Sequence, residues 1–411
     1  MLYLITIRDQ GTVMLKNTLF ILLFLGELLQ ATPDAAPELD KRYSNSTNCK
    51  SCHLHIVKEW SSSYHAKSHY KSNEYLRASM DYMKRKTRKP LNAVKVQCAV
   101  CHNPRISVTE TGMDYRIDAV MGLDKGSDVN KAVESSVLAE GINCLVCHNV
   151  DAIDENLPAS KRGIHRLKWN KNGVMSGPFA DAKSPYHDTQ QRDFFKDPKK
   201  LCMVCHANDR SESGLVFANT EVEYKETQKQ CADCHMSPKR KGVASTLAID
   251  NGKPKQRMIR EHGFVGAHFT PMWEGALRIR GKAEGTRLQL IISNDNPHNI
   301  PTGFGARELL VEVVYMSGSS VVKQEEISLT QHYTDKRGKA TIPHLAVKAT
   351  EARTIAANGE KILELVVPEG AGNAVVTLSY RLVNDEVRGI LKLKETQWQE
   401  KKFIAKTNVR F

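Results

Sequence analysis

All ten cysteines of this 411-residue sequence fall into five pairs of one spacing, and a histidine follows each pair. The five are Cys49-Lys-Ser-Cys52-His53, Cys98-Ala-Val-Cys101-His102, Cys144-Leu-Val-Cys147-His148, Cys202-Met-Val-Cys205-His206 and Cys231-Ala-Asp-Cys234-His235. Two thiols three residues apart can form thioethers with the two vinyl groups on one edge of a porphyrin. The next residue then lies beneath the iron as its first axial ligand. Zinc ribbons use two pairs per metal, and five pairs do not divide that way. A thioredoxin-type dithiol has no reason to precede a histidine every time. The reading is therefore five covalently bound haem c groups, with His53, His102, His148, His206 and His235 on their irons. No thiol remains for a structural disulfide or a nucleophile.

Ten further histidines lie outside the motifs: His55, His65, His69, His165, His187, His262, His268, His298, His332 and His344. A lone histidine is more often a surface or satisfied core residue than a ligand, so context must select among them. Trp60-x-x-Ser63-x-His65-Ala66, just after the first motif, resembles a pattern of multihaem cytochromes c. That family includes the tetrahaem electron acceptor of hydroxylamine oxidoreductase and its larger relatives. The resemblance implies that His65 ligates an iron. Gly177-Pro178-Phe179 with Ser184-Pro185-Tyr186-His187 resembles another ligand segment and implies His187. His262-x-Phe264-x-Gly266-x-His268 resembles a paired-ligand segment, in which one of His262 and His268 could instead hold a propionate. Asn296-Pro297-His298-Asn299-Ile300-Pro301-Thr302-Gly303, ending in Arg307, is similar to an element at the junction of haem and β domains and implies His298. The resemblance runs from about residue 44 to residue 307. The fifth motif departs from the tetrahaem relatives, so distal ligands are not paired with individual haems.

The other histidines have local readings. His69 lies four residues after His65 and could replace it or bond a propionate. His55 is too close to His53 to reach the same haem but could ligate a neighbour. His165 is a reserve ligand, and His332 and His344 read as ordinary surface residues. Met236 follows the fifth motif too closely to be that haem's distal ligand.

The elements that must position these groups change character along the chain. Lys16 precedes an apolar stretch from Leu19 to Leu29, and Leu29-Gln30-Ala31 offers a small-residue cleavage site, so residues 1–31 read as an export signal. Glu27 interrupts that stretch, and Met14 is an alternative start. Residues 32–48 read as a linker. Residues 49–271 read as an α-helical and irregular pentahaem cytochrome c domain, whose thin apolar periodicity leaves the haems to supply core volume. From residue 272 to 411 the texture becomes β: Arg287–Ser293, Glu308–Met316, Lys361–Val367 and Ala374–Leu382 are strand-like, between Gly and Asn turns. They predict a small antiparallel β-sandwich domain.

Composition bounds the function. The formal charge of +13 is offset by two propionates on each haem, so nucleic-acid binding is not expected. Lys84–Lys89 and Lys239–Lys241 read as solvated faces, with docking of an acidic partner or propionate pairing as the alternatives. Five proximal and five candidate distal histidines match in number. Bis-His ligation closes the iron to small substrates, and without the methionine ligand that raises the potential the haems are expected to be low-potential. The function expected is electron transfer between redox proteins in the periplasm or outside the cell. A membrane-associated quinol-oxidising partner and a homo-oligomer are compatible with it. The alternative is an oxidoreductase acting on a small nitrogen or sulfur compound at one five-coordinate haem, where Tyr64, Tyr70 or His69 could line the site. Against it, no motif ends in the lysine that marks the active haem of pentahaem nitrite reductases. A third reading gives the β half an assembly role.

Overall fold

The computed structural model describes residues 41–43, 45–171, 173–351 and 353–411. Residues 1–31, read as an export signal, and residues 32–40, read as linker, lie outside the described residues. The end of the linker is docked: the Ser46 N–H and hydroxyl both donate to the Glu140 carboxylate, and the Tyr43 hydroxyl donates to the Tyr186 carbonyl.

The motif-bearing half consists of short helices whose ends are held by side chains. Helix α1 (Leu54–Ser62) follows directly on the first motif. Helix α2 (Glu74–Thr87) starts where the Asn73 side chain accepts from the Leu76 N–H at 3.0 Å. Its last turn carries Lys84, Arg85 and Lys86, cations placed against the unpaired carbonyls of a helix end. Helix α3 (Leu91–His102) opens after Pro90 and carries the second motif in its final turns. The third motif is α4 (Cys144–His148), the fourth ends α5 (Lys199–His206), and the fifth is α6 (Cys231–His235). In the first motif the His53 N–H closes the same turn onto the Cys49 carbonyl at 2.9 Å. Each motif is thus one helical turn, and positions i, i+3 and i+4 of such a turn share a face.

The connections between motifs are more ordered than the irregular texture predicts. Val150–Ile153 pairs antiparallel with Leu167–Trp169, and Arg240–Val243 with Gln256–Ile259. Val174–Gly177 pairs parallel with Asp188–Gln191.

Among the described residues the second half has seven long strands, β1 (Arg278–Glu284), β2 (Arg287–Asn294), β3 (Glu308–Ser317), β4 (Ser320–Leu329), β5 (Gly359–Val366), β6 (Asn373–Arg381) and β7 (Lys402–Arg410), besides the short pair Tyr333–Thr334 and Lys348–Ala349. The seven long strands form a three-stranded sheet, β1-β2-β5, and a four-stranded sheet, β4-β3-β6-β7, antiparallel throughout. The four segments expected as strands are β2, β3, β5 and β6. Leu288, Leu290 and Ile292 of the first sheet and Leu309, Val311, Val313, Val376 and Leu378 of the second are completely buried in one core. Alternate residues of a strand face one side, which is how β2 places its three. Helix α7 (Asp385–Leu391), capped by Asn384, buries Val387 in the same core.

That core does not end at the sheets. Leu76, Met80, Tyr82 and Met83 of α2 and Val94 of α3 belong to it. Glu74 at the start of α2 adds a polar clamp, its carboxylate accepting from the Lys394 and Glu395 N–H groups at 2.8 and 2.9 Å and from Trp398 Nε1 at 2.7 Å. The halves are joined by common packing, with α2 as the shared element.

Candidate haem-ligand sites

One continuous cavity of about 1710 Å³ runs through the motif-bearing half. Single small-molecule sites are usually about 300–1,000 Å³. All ten motif cysteines and all five motif histidines line it. So do His65, His187, His262, His268 and His298, together with His165 and His344. His55 and His332 are exposed outside it, and the Nδ1 of His69 is occupied by the Lys71 N–H at 3.2 Å. Among the described residues no three His, Cys, Asp or Glu side chains converge on one point.

The imidazoles are arranged across the cavity in facing pairs. His206 faces His65, His148 faces His262 and His235 faces His298, each with ring centres 6.3 Å apart. Two imidazoles bonded to one metal at about 2.0–2.1 Å each stand roughly 6.3 Å apart between centres. The spacing fits one iron between each pair, and it is too long for direct hydrogen bonding. Tautomers agree with this. Nδ1 of His53, His148 and His235 lies 2.6, 2.8 and 2.7 Å from the carbonyls of Ala244, Ser176 and Val265. Nδ1 of His187, His262 and His298 lies 3.0, 3.1 and 2.9 Å from those of Asp188, Arg260 and Asn299. A carbonyl only accepts, so each Nδ1 carries a proton, and in the neutral tautomer this selects, Nε2 is the ligating nitrogen. His102 is set differently, with Nδ1 at 2.6 Å from the Ser68 hydroxyl.

Burial keeps several of these rings neutral. Desolvation, with smaller contributions from neighbouring histidines, holds His65 down to about 3 and His148 and His206 to about 4. For His102, held at about 4, desolvation prevails over an opposing pull from Asp209. A neutral imidazole is the form that can donate to a metal.

Local structure explains the placement. The Trp60 indole donates to the Ile142 carbonyl at 2.8 Å, and the Ile142 N–H donates to the His65 carbonyl at 2.9 Å. Between them Gly141 has φ +66°, and a Cβ there would stand 2.6 Å from the His65 carbonyl oxygen. That position excludes any side chain, which seats the His65 turn against the third motif. The Glu59 carboxylate of α1 accepts from the His262 N–H at 3.0 Å.

In the search of solved structures, a penta-heme cytochrome c552 from Thermochromatium tepidum matches with a TM-score of 0.66. The alignment covers 90% of this chain and 99% of that one at 18% identity. The chain shares its fold with a pentahaem cytochrome c. No family model and no curated protein matches it. Hypothetical protein PH1083 from Pyrococcus horikoshii OT3 and the structural-genomics target SoR45 align over about a third of the chain with TM-scores of 0.16 and 0.14, and carry no argument.

Within this multihaem cytochrome fold two histidines sit otherwise than expected. His268 faces no motif histidine in a ring pair. Its ring stacks on Tyr64 with centres 3.3 Å apart, Trp398 lies edge-on at 5.9 Å, and Tyr64 in turn donates to Gln397. The segment turns between His262 and His268, so the second ring is directed at the C-terminal segment. His344, read as a surface residue, is drawn inward by its apolar neighbours Ile342 and Ala346, both fully buried, and lines the cavity. The signal in the sequence was that apolar flank, Ile342-Pro343-His344-Leu345-Ala346.

Proposed function

We propose that this protein is an electron relay, with five covalently bound, low-potential haems c, bis-His ligated in the main, passing electrons between redox proteins outside the cytoplasm. The carrying observation is the set of three imidazole pairs at 6.3 Å, each joining a motif histidine to one from elsewhere in the chain. The pairs are His206 with His65, His148 with His262, and His235 with His298. His53 and His102 are the remaining proximal ligands, and His187 lines the cavity as a further distal candidate. Haem c supplies a one-electron iron couple when bound, and two imidazoles on one iron favour a low potential in comparison with a methionine ligand.

The chain's own residues support close spacing of the attachment points. The thiols of Cys49 and Cys144 lie within hydrogen-bonding reach of one another, as do those of Cys101 and Cys205 and those of Cys202 and Cys231. The first motif therefore adjoins the third, and the fourth adjoins both the second and the fifth. Among the described residues no helix is long and apolar enough to cross a membrane. Partners of such a relay would be redox proteins, a membrane-associated quinol oxidiser among them, and association with further copies would extend it.

The test is made on the exported, haem-loaded protein. Mass spectrometry and pyridine haemochrome assay are expected to give five haems per chain, with electron paramagnetic resonance of the ferric protein entirely low-spin. Fewer covalent haems would sink the attachment reading. A stoichiometric high-spin iron would instead support the small-molecule oxidoreductase.

A further inference from the structure

Three motif histidines face a partner ring, and the second motif, on α3, has none among these pairs. We propose that His344, delivered from the β half, is the second protein ligand of the iron held at Cys98, Cys101 and His102. This rests on the covalent-haem reading above and replaces His268 as a distal ligand.

The ring is placed by the backbone on both sides. His344 sits on a short 3₁₀ turn, Pro343–Leu345, begun by proline. Its carbonyl accepts from the Glu212 N–H at 2.9 Å, and two residues on the Ala346 carbonyl accepts from the Ser213 hydroxyl at 2.6 Å. Glu212 also pairs with Lys89, just ahead of α3. Contact thus runs from the motif helix through Glu212 to the histidine turn. Phe217 stands edge-on to the ring at 5.0 Å and Phe304 lies tilted to it at 6.3 Å, which limits its rotation. Nδ1 of His344 is buried with no hydrogen-bond partner, and a buried polar nitrogen left so calls for a partner in the working protein.

The charged surroundings are shared with the second motif. Arg162 and Asp209 form an ion pair. Both act on His102 and on His344, and with Glu212 they also surround Cys98. The His344 ring lies near enough to His102 to act on it electrostatically.

Other cavity-lining histidines fit this position less well. His187 lies in the neighbourhood of His148. His268 is set among Gln397, Lys402, Lys67 and Arg307, none of them around Cys98. His165 belongs to a turn whose Gly163 abuts the Val100 carbonyl of the motif itself, where a Cβ would stand 2.0 Å away. That turn packs on the backbone of the motif helix, whereas a distal ligand must come from the far face of the porphyrin. His344 comes from another element altogether.

The experiment compares spin states in haem-loaded His344→Ala, His344→Met and His268→Ala proteins with the unmodified chain. The unmodified chain is expected to be wholly low-spin. His344→Ala should keep five haems while one iron in five turns high-spin and, once reduced, binds carbon monoxide. His344→Met should keep that iron low-spin and raise one midpoint potential, a result that also shows the site folded. His268→Ala should leave every iron low-spin. The proposal is overturned if His344→Ala with five haems stays fully low-spin, if His268→Ala creates the high-spin iron, or if the unmodified protein already holds one. A haem count below five in the unmodified chain would instead break the covalent reading beneath it.

Discussion

The two halves of the chain solve the burial problem in opposite ways. The β half packs side chain against side chain, and Leu288, Leu290, Ile292, Leu309, Val311, Val313, Tyr315, Val376 and Tyr380 have no accessible surface. The motif half has smaller clusters, one centred on Val96, Ala99 and Ile164 and another on Val150, Leu167 and Val204, set around the large cavity. Protein interiors are close-packed, so a cavity of this size in the middle of a half-domain marks volume that something other than side chains must fill. One half thus has a core of side chains alone, and the other surrounds a volume of the kind the proposed haems would fill. Helix α2 joins them by entering the sandwich core.

The strongest way to break this contrast is to withhold haem. Chain made in cells lacking c-type haem attachment is expected to lose amide protection across α3 to α6 and to keep it in β2, β3 and β6. Hydrogen exchange read by mass spectrometry checks this, and equal protection of both halves would end the comparison. Next in size is Leu290→Ala, which opens a cavity where there was none and should cost about 2–5 kcal/mol. Thermal unfolding should record it as a loss in the β half, with the haem spectrum unchanged below the transition.

Gly141→Ala addresses the other half. Its positive φ and the His65 carbonyl in the path of a Cβ predict a loss of about 1–3 kcal/mol. The perturbed spectrum should belong to the iron on His206, the partner ring of His65. A uniform change in every haem signal would show that the strain is not local.

The smallest effect concerns the clamp between the halves. Burial would raise the Glu74 carboxyl, but bonds from the Glu395 and Lys394 N–H groups and Trp398 outweigh it and hold the group below its ordinary value. A carboxyl lowered in the folded state adds stability above its unfolded pKa of about 4.3 and loses it as pH falls through the folded value. Docking of the C-terminal segment on α2 should therefore loosen below about pH 4. Glu74→Gln should remove that pH dependence and cost about 1 kcal/mol, since the site is partly open to solvent. Trp398 fluorescence across a pH titration reads both.

The strands show how much of the fold was legible. Those foreseen include the central β2, β3 and β6, covered on both faces or flanked by neighbours, which read as apolar runs. The three long strands missed, β1, β4 and β7, are all edge strands. Arg278–Glu284 and Ser320–Leu329 carry charges along their open faces, as edges do to discourage further pairing, and this breaks the apolar signal. The expected separation of the halves also missed α2, because Leu76, Met80 and Met83 read as a helix face without saying which core receives it.

The same boundary divides the site. A Cys-x-x-Cys-His turn is local: five residues of helix put two thiols and an imidazole on one face, whatever the rest of the chain does. Residue order alone therefore places two thiols and an imidazole where the proposed porphyrin would attach. The opposite side of each iron is another matter. His65 meets His206, His262 meets His148 and His298 meets His235 only because distant segments are folded onto one another. Tertiary structure turned His268 onto Tyr64, and although the apolar flank of His344 signals burial, only the fold chose the cavity it lines, since no local spacing encodes a partner that arrives across a cavity.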